Sequence, residues 1–222
     1  MQAFHLAIRR PFPHLRGMSD ETPILTEPQS LQGKLLIAMP GLEDPNFDHS
    51  VIYICQNDAE SSMGLVLNQP IIGLDFGRML EELGIPSPHA HINERRIFSG
   101  GPVQNERGFV LHSLDYFIDD VTLPLNVGPE DIDLSHGLGL TVSRDILEDL
   151  SKDKGPSKAL VALGFAGWGS GQLEAELREN TWLVAPASHD IIFARDPALM
   201  WQQALKTIGI SPEHLSSNSG RA

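Results

Sequence analysis

The sequence predicts an α+β fold: a single domain built on a largely antiparallel, barrel-like or layered β-sheet with helices packed around it. Three observations predict it. Short runs rich in Val, Ile and Leu follow one another through loops of hairpin size, as in Ser50–Gln56 and Met63–Gln69 around the polar stretch 57–62. Helical patterns come at intervals rather than after every strand, so the βαβα alternation of a doubly wound parallel sheet is missing. The 222 residues, 41% hydrophobic and 20% charged, have ordinary globular composition. A chain of that length buries roughly 70% of its unfolded surface and needs no cross-links to fold.

Residues 1–30, rich in Pro, Ser, Thr and Gln, read as a flexible lead-in, 31–210 as the domain and 211–222 as a flexible tail. The lead-in carries Arg9, Arg10 and Arg16 without an acid up to residue 17, and reads as a disordered arm with Met18 as an alternative initiator. Lys34–Met39 is an apolar run stopped by Pro40-Gly41, as a buried strand would be. The hairpin of Ser50–Gln56 and Met63–Gln69 follows. Leu74–Leu83 reads as a helix, with Asp75 able to cap its start and Gly84 past its end. Arg95–Ser99 and Gly108–Ser113 read as a further strand pair, and Val121–Val127 and Leu138–Val142 as weaker strands. Ser143 caps a helix over Arg144–Lys152. Lys158–Phe165 is a strand, Gly171–Asn180 a helix, and Thr181–Ala185 a strand. Pro197–Ile208 closes the domain as a helix with Trp201, Leu205 and Ile208 on one face.

A formal net charge of −13 weighs against several function classes. Such a surface repels phosphate backbones and anionic lipid, and Arg95-Arg96 is the only adjacent basic pair outside the N-terminal segment, so direct nucleic-acid binding is not expected. No apolar stretch is long enough to span a bilayer, so no membrane partner is expected. Cys55, the single cysteine, sits in the apolar run 51–55 and reads as a buried, inert thiol. One unpaired cysteine fits a reducing compartment, the cytoplasm.

Few motifs carry chemistry. Gly164–Glu174 reads as a glycine-rich connection between a strand and a helix, where phosphate loops occur. Its spacing matches neither nucleotide fingerprint, no lysine follows, and Glu174 and Glu176 at the start of the helix would oppose a phosphate. Ser170 invites comparison with a hydrolase nucleophile, but the flanking Trp168 and Gln172 break the G-x-S-x-G elbow. His189-Asp190 and His214 could complete a triad only through geometry. His89 and His91 lie in a Pro-rich stretch that reads as a solvated loop, without a partner at metal-ligand spacing, and His112 reads as a packed, hydrogen-bonded residue. No catalytic residue, metal site or cofactor is expected. Ser99–Val103 makes a sharp Gly-Gly-Pro turn whose backbone N–H groups could receive an anion or a peptide.

Together these stretches resemble the bacterial YqgE/AlgH family from about Leu31 to Leu205. The matching segments are Gly33–Pro40, Asp44–Phe47, Ser50–Cys55, Gly64–Pro70, Gly100–Val103, Gly164–Trp168, then Gln172–Glu174 with Asn180–Leu183. The resemblance implies a compact antiparallel barrel-like or layered domain. Family members are named as transcriptional regulators connected with exopolysaccharide control, and no accepted biochemical activity goes with the fold.

The expected function is a non-catalytic regulatory or adaptor domain that binds a protein or a small ligand of unknown identity. Loops carry function more often than cores, so the expected surface is a cluster of the Asn68–Pro70 turn, the Gly100–Pro102 turn and the Gly167–Gln172 loop beside Trp168. Its candidates are Asn46, Phe47, Asn68, Pro70, Gly100, Gly101, Pro102, Gly167, Trp168, Gln172 and Glu176. A DNA-binding regulator is the alternative, and a serine hydrolase acting through Ser170 stands third.

Overall fold

The computed structural model describes residues 30–42, 44–125 and 137–215. The expectations for the segment up to residue 29, for Asn126 and Val127, and for the tail from residue 216 fall outside them. Strands β1 (Lys34–Ala38), β2 (Val51–Asn57) and β3 (Ser61–Val66) form a meander. Their central runs are apolar because both faces of their sheet are covered. Leu35, Ile37, Val51, Tyr53, Cys55 and Leu65 point into one cluster, while Leu36, Ala38, Ile52, Ile54 and Val66 point into another. Successive strand side chains face opposite ways, so covering both sides erases the polar–apolar rhythm.

The remaining strands are β4 (Pro70–Asp75), β5 (Arg96–Ser99), β6 (Val103–Ser113), β7 (Thr122–Leu125), β8 (Leu138–Thr141), β9 (Ala159–Gly169) and β10 (Trp182–Pro186). They complete one curled, half-barrel sheet in the order β10-β1-β2-β3-β9-β6-β8-β7, with the β4–β5 pair joined through β5. All pairings are antiparallel except β5 against β9. Strand β9 organises the whole. Its first half lies between β5 and β6, and its second half pairs with β3 instead. The change of partner falls at Gly164, whose φ is +75°.

This placement corrects two expectations. Arg95–Ser99 and Gly108–Ser113 do not pair with each other, because β9 lies between them. The glycine-rich stretch after residue 164 is not a loop: Ala166–Gly169 pairs with Ser61–Gly64 as strand, and only Ser170 and Gly171 turn the chain. Glycine is needed where another segment crosses this strand. Gly101 crosses the β9 backbone so tightly that a Cβ would overlap Phe165 and Ala166, and its φ of +144° is open to glycine.

Six α-helices lie against this sheet among the described residues. Helix α1 (Phe76–Glu82) starts where Asp75 accepts a hydrogen bond from the Arg78 N–H, and Gly84 follows it at φ +64°. Helix α2 (Ala90–Asn93) replaces the solvated loop expected around His89 and His91 with one turn anchored by buried Ile92. Helix α3 (Arg144–Ser151), capped by Ser143, buries Ile146, Leu147 and Leu150 with α1 and α2 against β5, β6 and β9. Helix α4 (Gln172–Arg178) covers the outer face of the meander through Leu173. Helices α5 (His189–Ile192) and α6 (Pro197–Thr207) close the opposite face with Ile192, Met200, Trp201 and Leu205. No described helix is long and apolar enough to cross a membrane.

Candidate functional site

The structure divides the expected binding surface instead of gathering it. The Asn68–Pro70 and Gly100–Pro102 turns adjoin, since the Ser99 N–H donates to the Gln69 carbonyl at 2.8 Å and the Val66 N–H to the Gly100 carbonyl at 2.9 Å. The Ser170–Gly171 turn lies elsewhere. Gly169 pairs with Ser61 at the start of β3, whereas Asn68 lies past its end. About seven residues of extended chain separate those points, on the order of 20 Å. The amide of Gly100, expected to be open to an anion, is already committed to the Leu163 carbonyl at 2.8 Å. Gly167 is strand, opposite Met63, and Pro70 begins β4 opposite Phe98.

Around α4, polar groups satisfy one another. Glu176 does not act mainly on the helix end, as its position near the first turn suggests. Its Oε2 accepts both indole N–H groups, from Trp168 at 2.9 Å and Trp182 at 2.7 Å, and its Oε1 accepts the Gln172 amide at 2.9 Å. The two indoles meet edge to face at 6.1 Å, and Phe47 sits edge-on to Trp182 at 5.6 Å. Trp168 and Trp182 are 5% and 4% exposed, so they are core residues rather than surface anchors. Asn68 is likewise committed: its Oδ1 accepts the Val51 N–H and its Nδ2 donates to the His49 carbonyl, both at 2.9 Å.

An open cleft of about 560 Å³ lies beside Asn68, between α6 and the turn that precedes β2. Its rim is built locally. Asp44 caps a 3-10 turn over Pro45–Phe47 by accepting the Asn46 N–H, and Gln69 Nε2 donates to the Asn46 carbonyl at 2.9 Å. The chain then passes through His49, a non-glycine residue held at φ +50°. Such left-handed positions cost free energy and cluster at functional sites. His49 Nδ1 is 2.7 Å from Asp48 Oδ1. A carboxylate only accepts, so Nδ1 carries the proton and Nε2 is left as an acceptor. The ring stands edge-on to Trp201 at 4.6 Å, and Trp201 is fixed by donating its indole N–H to the Ala38 carbonyl at 2.8 Å. Gln202 and Pro212 complete the opposite wall. The cleft thus offers an aromatic wall, an imidazole edge, a carboxylate and amides, a set suited to holding a ligand or a peptide. Sequence reasoning missed Asp48 and His49. Their only signal was two polar residues placed between an ordered turn and a buried strand.

The other singled-out residues have structural partners. Ser170 Oγ donates to the Ala59 carbonyl at 2.8 Å. Cys55 is 1% exposed, and burial pushes its thiol up to about 12. His112 is fully buried between Ser113 O and Thr141 Oγ1, each 2.9 Å away. A carbonyl cannot donate, so Nδ1 carries the hydrogen and Nε2 accepts from Thr141. Thr122 Oγ1, 2.8 Å from Thr141 Oγ1, continues the chain to the Ile118 N–H. The His89 and His91 rings are 5.8 Å apart, and no group of three His, Cys, Asp or Glu gathers among the described residues.

Comparison with known proteins identifies the family. A family model described as AlgH-like matches residues 35–213. A UPF0301 protein of Caulobacter vibrioides is 44% identical over 193 residues, covering 86% of this chain and 94% of its own. A UPF0301 protein of Nitrobacter hamburgensis is 41% identical over 222 residues, covering 97% and 99%. The solution structure of the AlgH protein from Pseudomonas aeruginosa is similar at a TM-score of 0.67 and 36% identity, over 92% of this chain and all of the other. A crystal structure from Corynebacterium diphtheriae shares the fold at a TM-score of 0.57 and 19% identity, over 92% and 95%. The chain belongs to the AlgH-like family.

Proposed function

We propose that this AlgH-like chain is a non-catalytic regulatory or adaptor domain whose binding site is the cleft between α6 and the His49 turn. The observation that carries the reading is His49 itself. A residue held at φ +50° on the rim of a cleft of about 560 Å³, with an Asp-oriented imidazole edge, is a strained group facing open space. The hydroxyl of Ser170 and the thiol of Cys55 are both withdrawn from chemistry, which supports binding over turnover. Of the candidates drawn from sequence, Asn46 and Asn68 build the rim, while Phe47, Trp168, Gln172 and Glu176 hold the α4 face together.

The test is a matched pair of variants. Gln202 lines the cleft and its neighbour Gln203 does not; both are exposed on α6. Partners or ligands captured from the native lysate should be lost from Gln202→Arg and kept by Gln203→Arg. Capture unaffected by Gln202→Arg would remove this cleft as the site.

A further inference from the structure

A second cleft, of about 300 Å³, lies on another side of α6 and differs from the first in charge. Arg95, Arg96, Ser157 and Lys158 line it, above a floor that includes Phe98, Phe193 and Met200. The chain as a whole carries −13, yet three cations converge here. Among the described residues, none of the three has a carboxylate oxygen within 4.0 Å. Among the described residues their other contacts leave most of their donors open. Arg96 uses one N–H, donated to the Arg195 carbonyl at 2.8 Å, and Lys158 Nζ stands 5.9 Å from the centre of the Phe193 ring. Asp115, the carboxylate beside Ser157, is turned to the Ser157 N–H at 3.0 Å and to Ser113 Oγ at 2.6 Å. Three like charges beside an apolar floor repel one another, and a low-dielectric wall strengthens their pull on an anion.

We propose that this cleft binds a small organic oxyanion, a phosphate or carboxylate head carried on a short aromatic or aliphatic body. The head meets the fork of Arg95 and Arg96 and the ammonium of Lys158, and the body lies on Phe98, Phe193 and Met200. Arginine suits such heads because its planar donors match two oxygens at once. A ligand with both parts gains from both surfaces, whereas a bare ion or a neutral ring gains from one.

Isothermal titration of the full chain with 1-naphthyl phosphate, 1-naphthol and inorganic phosphate tests this. The expected result is saturable one-to-one binding of naphthyl phosphate, at least tenfold tighter than either fragment. The double variant Arg95→Gln/Lys158→Gln should weaken it at least tenfold, while Lys152→Gln, a charge change at the far end of α3, leaves it unchanged. Equal affinity for naphthol would show a merely apolar groove, and equal affinity for inorganic phosphate an unspecific ion site. Either outcome, or undiminished binding by the folded double variant, would overturn the proposal.

Discussion

The α4 face and the α6 face of the sheet treat their polar groups in opposite ways. At α4, one carboxylate answers three N–H donors from Trp168, Gln172 and Trp182, and the indoles are buried. At α6, His49 sits in a strained backbone conformation and the cations Arg95, Arg96 and Lys158 line a cleft without carboxylate partners among the described residues. A fully answered polar group adds rigidity and has nothing left to offer a ligand. An unanswered one costs the free chain something and is available to whatever arrives. The difference teaches where to look: Trp168, a binding candidate from the sequence, belongs with Trp182 to the stable side, and the inconspicuous polar residues mark the side open to recognition.

The largest effect that would break this comparison is expected at Glu176. Glu176→Ala leaves two buried indole N–H groups without an acceptor, at about 1–3 kcal/mol each. Urea unfolding should therefore show a loss of about 3–5 kcal/mol, with Glu176→Gln losing roughly half as much because its amide oxygen still accepts. A loss under about 1 kcal/mol would show that the cluster is ornamental.

His112 sharpens the comparison from a second satisfied network. Burial lowers its pKa from the ordinary histidine value, against smaller opposing effects of the Ser113 carbonyl and Asp115. The unfolded chain then takes up the proton first. Stability from this group is complete above the unfolded pKa near 6.5 and falls as pH drops toward the lower folded value, by at most about 1.4 kcal/mol per pH unit. The stability difference between the native chain and His112→Gln should therefore stay constant above about pH 7 and shift on acidification, with the native chain losing more. Parallel curves down to about pH 5 would refute the assignment.

The smallest effect is the most telling for the α6 side. Lys158 is exposed and Arg95 half-buried, and neither has an ionic partner among the described residues. Replacing both by Gln should change the unfolding free energy in urea by no more than about 0.5 kcal/mol. A marked destabilisation would mean these cations are structural after all.

Much of the fold was legible because local chemistry and tertiary context agree. Asp75 and Ser143 cap the helices their positions announce, and the polar stretch after Asn57 turns the chain between β2 and β3. Legibility failed where a distant strand decides. Nothing local in Arg95–Ser99 says that β9, about sixty residues later, will lie between it and Gly108–Ser113. The glycines of β9 looked like a loop because glycine favours turns, whereas here they lie in a strand and Gly164 admits the backbone of Gly101. The same holds for function. Glu176 joins residues eight before and six after it, which no helical period reports, and the cations of the second cleft come from the chain as it enters β5 and β9.

Strand β9 also sets the order in which the molecule can be completed. It supplies neighbours to β3, β5 and β6, all of which precede it in the chain, and β10 then pairs back to β1. During synthesis the earlier strands present raw edges until Gly169, the last residue of β9, has emerged from the ribosome. Pairings of such long sequence separation slow folding and leave nascent chains open to wrong partners. The half-barrel is therefore a late-closing structure, one whose first half depends on being shielded until its second half arrives.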